Sequence, residues 1–374
     1  MDTTILARTG DPLPGSAFDR PCYRIPALTV TRTGRLVAAW DVRADWRDLP
    51  GPFDIVYRTS DDHGRNWSKT RFLRPHEGQH GFGDASLLTA PESGDVLCWY
   101  VSSSGRSFFD AEAGPSGDGL RLWLARSCDD GETWTHEDLT EALKPEWTTG
   151  MFASSGNGTA LESGRLLQPF VMRDAEGNHW SVVAASDDNG RSWTLGDPVG
   201  PDCDENKVVE ITTAAESEAE VLLHARATPL RRQAVSSDGG ASFTRPEPHP
   251  ALSEPGCNGG LARWGNLLVC SLLDDPEERR NLGLRFSTDS GATWSDPVAI
   301  DTGASAYSVV AELADGTLGV LWEAGDYSEL RFARITQEID PHRLHAPDQK
   351  PLFEPLTSPG GSARPPEVAP AHNH

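Results

Sequence analysis

The 374-residue chain has no apolar run approaching the ~18 residues that a membrane-spanning helix needs. Its six cysteines are scattered, with neither a CxxC pair nor zinc-ligand spacing, so a disulfide framework and a zinc site are both poor readings. They read instead as buried thiols in a reducing compartment. Met1-Asp2-Thr3 opens no signal peptide, and the expected location is the cytoplasm. Basic residues are few: 33 Lys and Arg face 56 Asp and Glu, a net charge of −23. That imbalance argues against nucleic acid and anionic membrane as partners. No cofactor and no metal are expected. Thirty-seven per cent of the residues are hydrophobic before the 36 glycines are counted, which is ordinary for a globular domain.

What the chain does have is a repeat. Ser60-Asp61-Asp62-His63-Gly64-Arg65-Asn66-Trp67 fits a pattern S-x-D-x-G-x-(T/S/N)-W that returns at Ser127–Trp134, Ser186–Trp193, Ser236–Phe243 and Ser287–Trp294. Start-to-start intervals are 67, 59, 50 and 51 residues. Each copy follows a short strand-like run, and its D-x-G core suits a tight turn, because an Asx side chain bonds nearby backbone and Gly tolerates positive φ. The closing aromatic would cover the turn. An Asp-based metal site is the weaker reading of the same residues.

Two further strand-like runs precede the boxes, as in Ile25 to Thr31 and Arg35 to Asp41. About four antiparallel strands in ~50 residues is the measure of a β-propeller blade. Five boxed units and a boxless sixth from Ser305 predict an all-β, six-bladed propeller of four-stranded antiparallel blades over residues 1–339. Thr3 to Ala7 would pair with Leu330 to Ile335 and close the ring, removing an open sheet edge. Ala214 to Glu220 reads as a lengthened hairpin, and 340–374 as an extended Pro-rich tail. The expected state is a monomer.

In such blades the first strand's start, the second strand's end and the third strand's start share one edge, opposite the boxes. Arg24, Asp84, Glu205 and Tyr307 fall at first-strand starts. Arg43, Arg226 and Glu323 fall at second-strand ends, Asp48 on the first loop after such an end, and Arg279 at a third-strand start. Arginines, carboxylates and a tyrosine thus converge on one mouth, which suits an anionic ligand. The net charge does not oppose this, since it is screened beyond ~8 Å whereas bidentate arginine contacts act at contact distance.

The marks Tyr23-Arg24-Ile25-Pro26, Asp48-Leu49-Pro50-Gly51-Pro52, Asp204-Glu205-Asn206-Lys207, His224-Ala225-Arg226, Arg279-Arg280-Asn281-Leu282 and Ala306-Tyr307-Ser308, with the five Asp boxes, resemble the exo-α-sialidase family over residues 1 to about 337. The resemblance implies a propeller that hydrolyses terminal sialic acids of glycans or oligosaccharides with retention, through a tyrosine nucleophile, the exception among glycosidases. It makes Arg24, Arg226 and Arg279 the grip on the substrate carboxylate, with Glu323 holding Arg24. Tyr307 becomes the nucleophile, Glu205 its base and Asp48 the general acid. Arg43 and Asp84 match positions near the sugar's ring substituents. Glu210 is the rival of Glu205, and Arg280 and Arg285 are rivals of Arg279. Two other classes stay open: a trans-sialidase, for which Trp46 beside the acid loop is the acceptor candidate, and a non-catalytic sialic-acid binder.

Overall fold

A computed structural model describes residues 1–103, 105–211, 219–336 and 355–357. Among these residues the regular structure is nearly all strand, with one four-residue helix, Thr140–Leu143. β1 (Asp2–Arg8) waits for the end of the chain. β2 (Cys22–Val30), β3 (Leu36–Arg43), β4 (Asp54–Ser60) and β5 (Arg71–Arg74) form a four-stranded antiparallel meander. The next sheet repeats it with β6 (Gly81–Thr89), β7 (Val96–Ser103), β8 (Arg121–Ser127) and β9 (Thr135–Asp138). A third is built from β10 (Gly150–Ala153), β13 (Leu166–Arg173), β14 (His179–Ser186) and β15 (Thr194–Leu195). Two-residue strands β11 (Gly156–Asn157) and β12 (Thr159–Ala160) join the second and third sheets respectively. β16 (Asn206–Glu210), β17 (Val221–Ala225), β18 (Leu230–Ser236) and β19 (Glu247–Ser253) make the fourth.

The remaining strands depart from the expected pattern of separate blades. β20 (Gly260–Trp264), β21 (Leu267–Leu273), β22 (Arg280–Ser287), β23 (Val298–Glu312), β24 (Leu318–Ala324) and β25 (Glu329–Ile335) join β1 in one seven-stranded sheet. The cause is β23. Its first half pairs with β22 and its second half with β24, so two four-stranded halves share one continuous 15-residue strand. The N-terminal strand lies where the sequence put it: Asp2 to Arg8 pairs antiparallel with Arg334 to Glu329.

Burial falls from the inner strands outward. β3, β7 and β24 are buried at every position, whereas β9 and β19 alternate with solvent. The largely apolar runs of β3, β7 and β24 are those of strands covered on both faces. Five of the six cysteines are buried, but Cys128 is exposed. Leu356 lies back on β23: its N–H donates to Ile300 O (2.9 Å) and its O accepts from Thr302 N (2.8 Å). The rest of the expected tail, and the expected hairpin at 212–218, lie outside the described residues.

Each box is a hydrogen-bonded turn whose parts have separate tasks. In the second, Ser127 Oγ donates to Asp129 Oδ1 (2.8 Å) and accepts from Gly131 N (2.8 Å). Asp129 also accepts from the N–H and hydroxyl of Thr133 (2.8 and 2.5 Å). Asn66 does the work of that Thr in the first box, its Nδ2 donating to Asp62 Oδ2 at 2.6 Å. The aromatic does more than cover its own turn, since it packs on the preceding sheet: Trp134 on Tyr57, Trp193 on Trp99. Trp67 of the first box meets Phe332 on β25. The box glycine is required there twice over. At Gly64 φ is +85°, and a Cβ would lie 2.1 Å from the Phe332 ring.

These turns give the fold an acid dependence. Hydroxyl donors bring Asp129 and Asp188 down to about 2, and Asp238 reaches about 2 although slight burial pushes it the other way. Asp62 and Asp289 are lowered too, their donors outweighing burial. Carboxylates held below an unfolded value of ~3.9 contribute stability above that value and lose it as pH falls through the folded one. Thermal unfolding followed by calorimetry should therefore lose midpoint temperature between about pH 4 and 2. The triple variant Asp129→Asn/Asp188→Asn/Asp238→Asn should show a shallower fall, and an unchanged slope would contradict this account.

Candidate active site

The site starts from a buried carboxylate. Glu323, at the end of β24, is 0% exposed and accepts three hydrogen bonds: from Arg24 Nε (3.1 Å), Ile25 N (2.8 Å) and Tyr307 N (3.2 Å). Ile25 stands at φ 59° where β2 bulges, and β23 also shifts register between Ser305 and Ser308. The bulges free backbone N–H groups from the ladder, and Glu323 takes them. Asp41 repeats the device one sheet on. It accepts Asp84 N (3.1 Å), at φ 60° in a bulge of β6, and is gripped by Arg43 through Nη2 (2.7 Å) and Nε (3.2 Å).

From these anchors the remaining residues form one network. Arg43 Nη1 donates to Asp48 Oδ1 (2.7 Å), and Arg24 Nη1 lies 3.6 Å from the same oxygen. Tyr307 Oη donates to Glu205 Oε2 at 2.6 Å. Arg226 Nη1 donates to both, at 2.7 Å to Glu205 Oε2 and 3.0 Å to Tyr307 Oη. The guanidinium carbons of Arg24 and Arg279 each stand 5.7 Å from the centre of the Tyr307 ring. Asp84 Oδ1 is 3.6 Å from Arg43 Nη2. All nine residues singled out from the sequence thus lie in one contact network, contributed by four of the five sheets and the loop after β3.

Their rivals lie elsewhere. Glu210 accepts from Glu162 N (2.7 Å). Arg280 holds Asp275 (2.6 Å), and Arg285 holds Asp274 (2.8 Å). Sequence reasoning missed Asp41 and also Tyr327. Tyr327 Oη accepts from Arg279 Nη1 (3.0 Å), and its ring lies 4.4 Å under the Arg24 guanidinium. A tyrosine in a turn between β24 and β25, at φ 62°, was its only signal. Glu205 Oε1, away from Tyr307, accepts from Ser155 Oγ and Asn258 Nδ2, both at 3.1 Å. Beside Arg226 a depression of about 470 Å³ is lined by His179, Asp204, Thr228 and Arg232, within the size range of small-ligand sites.

Charge sets the protonation states. Burial and the facing Glu205 push the Tyr307 phenol well above its ordinary value, and Arg226 and Arg279 recover only part of that rise. Asp48 is exposed at the rim of the site, and although the surrounding protein partly desolvates it, Arg43, Arg24 and Arg279 hold the carboxyl below the usual range. Burial lifts Asp41 to about 6 against Arg43, and burial with the Asp41 charge lifts Asp84 well above its ordinary value. Arg24 and Arg226 already hold carboxylates, whereas Arg279, among the described residues, donates hydrogen bonds to the neutral oxygens of Tyr327 and Gly256. Three guanidinium groups around a phenol–carboxylate pair can bind a carboxylate and activate an oxygen nucleophile beside it.

The chain is similar to known proteins over most of its length. Residues 34–320 match the family of BNR repeat-like domains. A sialidase of Micromonospora viridifaciens is 35% identical over 341 residues, covering 84% of this chain and 51% of that protein. One from Bacteroides fragilis is 27% identical over 333 residues, 81% of this chain and 60% of its own length. Among solved structures, the Hadza microbial sialidase Hz136 superposes with a TM-score of 0.76 at 25% identity, over 84% of this chain and 66% of that one. The chain belongs to the family of BNR repeat-like domains. It spans 51% and 60% of the two relatives' lengths.

The Glu323 clamp is testable. Removing one partner of a buried pair typically costs about 3–5 kcal/mol. Glu323→Ala strands Arg24 and two backbone N–H groups, so its melting temperature should fall by on the order of 10 °C. Glu132→Gln breaks an exposed pair with Arg35 and should shift it by no more than about 2–3 °C. Equal shifts in the two variants would show that the clamp does not hold the site.

Proposed function

We propose that the chain is a retaining exo-α-sialidase that hydrolyses terminal sialic acids from glycans or oligosaccharides through a covalent tyrosyl intermediate. The observation that carries the reading is the 2.6 Å hydrogen bond from Tyr307 Oη to Glu205 Oε2 beneath three guanidinium groups. The six-bladed propeller is part of the proposal. The first and second halves of β23 would belong to adjacent blades, the last closed by β1, and the contact of the first box with Phe332 supports a ring. A monomer working in the cytoplasm is the simplest setting consistent with the cysteine pattern.

The chemistry follows from the charges. Arg24, Arg226 and Arg279 take the sugar's carboxylate, each charge-assisted contact giving roughly 1.5–3 kcal/mol. That carboxylate sits on the reacting carbon, so an Asp or Glu nucleophile would approach like charge. At ~4 Å and an effective dielectric of about 20 the repulsion is roughly 4 kcal/mol, some three powers of ten in rate. A neutral phenol avoids it, provided that a base removes its proton as the bond forms. Glu205 takes that proton while Tyr307 Oη bonds to the anomeric carbon and Asp48 protonates the departing oxygen. Asp48, now a carboxylate, then removes a proton from water that attacks the same carbon, the bond from that carbon to Tyr307 Oη breaks, and Glu205 returns its proton to the departing phenol oxygen.

Incubation with a fluorogenic α-sialoside tests the reading directly, and no release of fluorophore would overturn it in favour of a binder. A fluorinated sialyl donor that slows breakdown of the intermediate should label Tyr307. Tyr307→Phe should keep the fold and lose natural-substrate turnover by orders of magnitude. Glu205→Gln should also be slow, because at pH 7 only ~1 in 1,000 tyrosines with pKa 10 is ionised unaided. The two losses should not add, since both residues serve one step. Labelling elsewhere, or a first-formed product of inverted configuration by NMR, counts against the tyrosyl step. Trp46, 43% exposed beside Asp48, supports a second reading, transfer to an acceptor sugar stacked on it. Added lactose would then yield sialyl-lactose.

Asp48 carries a pH signature. In the free enzyme the guanidinium groups hold it low, whereas a bound substrate carboxylate neutralises them and lets it rise. The acid form is the one that protonates the leaving oxygen, so the rate falls as pH rises through the Asp48 value. kcat/KM reports the free enzyme and kcat the complex. With a slow-leaving sialoside the descending limb of kcat should therefore lie at higher pH than that of kcat/KM. Coincident limbs would rule out this coupling.

A further inference from the structure

Behind Glu205, on the side away from Tyr307, stands a lysine that the proposed reaction leaves idle. Lys207 opens β16 with Asn206 and is 1% exposed. Its Nζ donates to Ser155 O (2.7 Å), Asn258 Oδ1 (3.0 Å) and Asn206 O (3.3 Å), with Ser154 Oγ at 3.4 Å. Every one of these acceptors is neutral. Keeping an ammonium in such a place is costly, and an apolar chain of similar length would fill the space without that cost.

The consequence falls on Asn258. An ammonium group only donates, so it fixes which end of the amide faces it. With Oδ1 held by Lys207, Nδ2 must point the other way, and there it donates to Glu205 Oε1 (3.1 Å) as well as to Ser155 O (2.9 Å). Ser155 Oγ adds a second donor to the same Oε1 (3.1 Å). One oxygen of Glu205 is thereby occupied, and Oε2 is the one presented to Tyr307 and Arg226. A flipped amide would set its oxygen against the carboxylate and repel it.

We infer that Lys207 is a positioning residue which, by locking the Asn258 amide, aims a single oxygen of Glu205 at the Tyr307 hydroxyl. The inference rests on the reading of Glu205 as the base. The lock has a built-in pH limit. Burial pulls the Lys207 ammonium down to about 7 although the Glu205 charge opposes it, and Arg231 adds to the fall. The charged groups about it are Glu205 just ahead of its strand and, from β18, Arg231, which is paired with Glu254 at 2.8 Å. His224, its cross-strand partner on β17, is kept neutral because burial drives its pKa well below the usual range. Residues 154–155 and Asn258 bring no titratable side chain. A neutral amine accepts as well as donates, so deprotonation weakens the hold on Oδ1 and leaves only Ser155 O and Glu205 Oε1 to orient the amide.

The test uses an aryl α-sialoside whose phenol leaves with little help from Asp48. Wild type should lose kcat through a limb near neutral pH. Lys207→Met should have kcat lower by about 10–100-fold, as partners behind a working ligand commonly cost, with KM within about threefold and that limb gone. Asn258→Leu should match it, and the double variant should be no worse than either single one. Turnover within twofold of wild type, or a retained limb in either variant, overturns the inference. Crystal structures of Lys207→Met and Asn258→Leu give a readout independent of turnover. A rotated Glu205 carboxylate, with a turned amide in the former, supports the lock, and unmoved groups overturn it. Wild type that cleaves no α-sialoside would sink the parent reading while leaving the crystallographic comparison to decide the role of Lys207.

Discussion

One carboxylate with no access to water sets the geometry on which the rest depends. Glu323 receives the Nε of Arg24, the N–H of Ile25 and the N–H of Tyr307, so three groups from two neighbouring strands share two oxygens. A β-branched residue in the left-handed region costs on the order of 1–3 kcal/mol, and Ile25 persists there because its N–H has nowhere better to go. The same oxygens therefore fix a binding arginine and the backbone of the tyrosine. Asp41 does the same for Asp84 and Arg43. In both cases a carboxylate near the end of one strand, β24 or β3, pins the bulged first strand of another sheet, β2 or β6. The bulges at the site are satisfied by buried charge.

That arrangement reconciles an acidic protein with the anionic ligand proposed for it. Of the arginines at the mouth, Arg24, Arg43 and Arg226 already balance Glu323, Asp41 and Glu205. Their role is directional as much as electrostatic, since a guanidinium held at one edge presents its other N–H groups in a fixed fork. Arg279, against Tyr327 Oη and Gly256 O, brings charge that no carboxylate has discharged. A neutral phenol is the partner that orients a guanidinium without cancelling it. The overall charge of −23 acts at distances that salt screens, and this charge acts at contact.

How much of this the sequence discloses depends on whether the deciding interaction is local. The boxes were legible because their hydrogen bonds span two to four residues, Ser127 with Asp129 and Gly131, and Asp129 with Thr133. The pairing of the first strand with the last was legible because an open edge calls for a partner. The continuity of β23 was not, since a strand that changes neighbours halfway carries no mark of doing so. The mouth residues could be grouped by strand ends alone, but their roles came from a resemblance. Asp41, Tyr327 and Asn258 escaped both routes, because their partners lie across sheets. Asn258 meets Ser155 and Glu205 at separations of 103 and 53 residues.

The proposed reaction adds a demand that the same contacts meet. Burial and the Glu205 charge oppose ionisation of Tyr307, so a free phenolate is not a resting state of this site. The proton has to move as the carbon–oxygen bond forms, which requires an acceptor already in place at 2.6 Å. Arg226 donates to both oxygens between which that proton passes, so its contacts survive the transfer with only a redistribution of strength. Once the tyrosine oxygen is bonded to carbon it no longer donates, and the protonated Glu205 becomes the donor across the same gap. A carboxyl anchored at Oε1 can take both parts without turning. The back of the base is for that reason as much a part of the design as its face, and the donors on Oε1 belong to the chemistry although they touch no substrate.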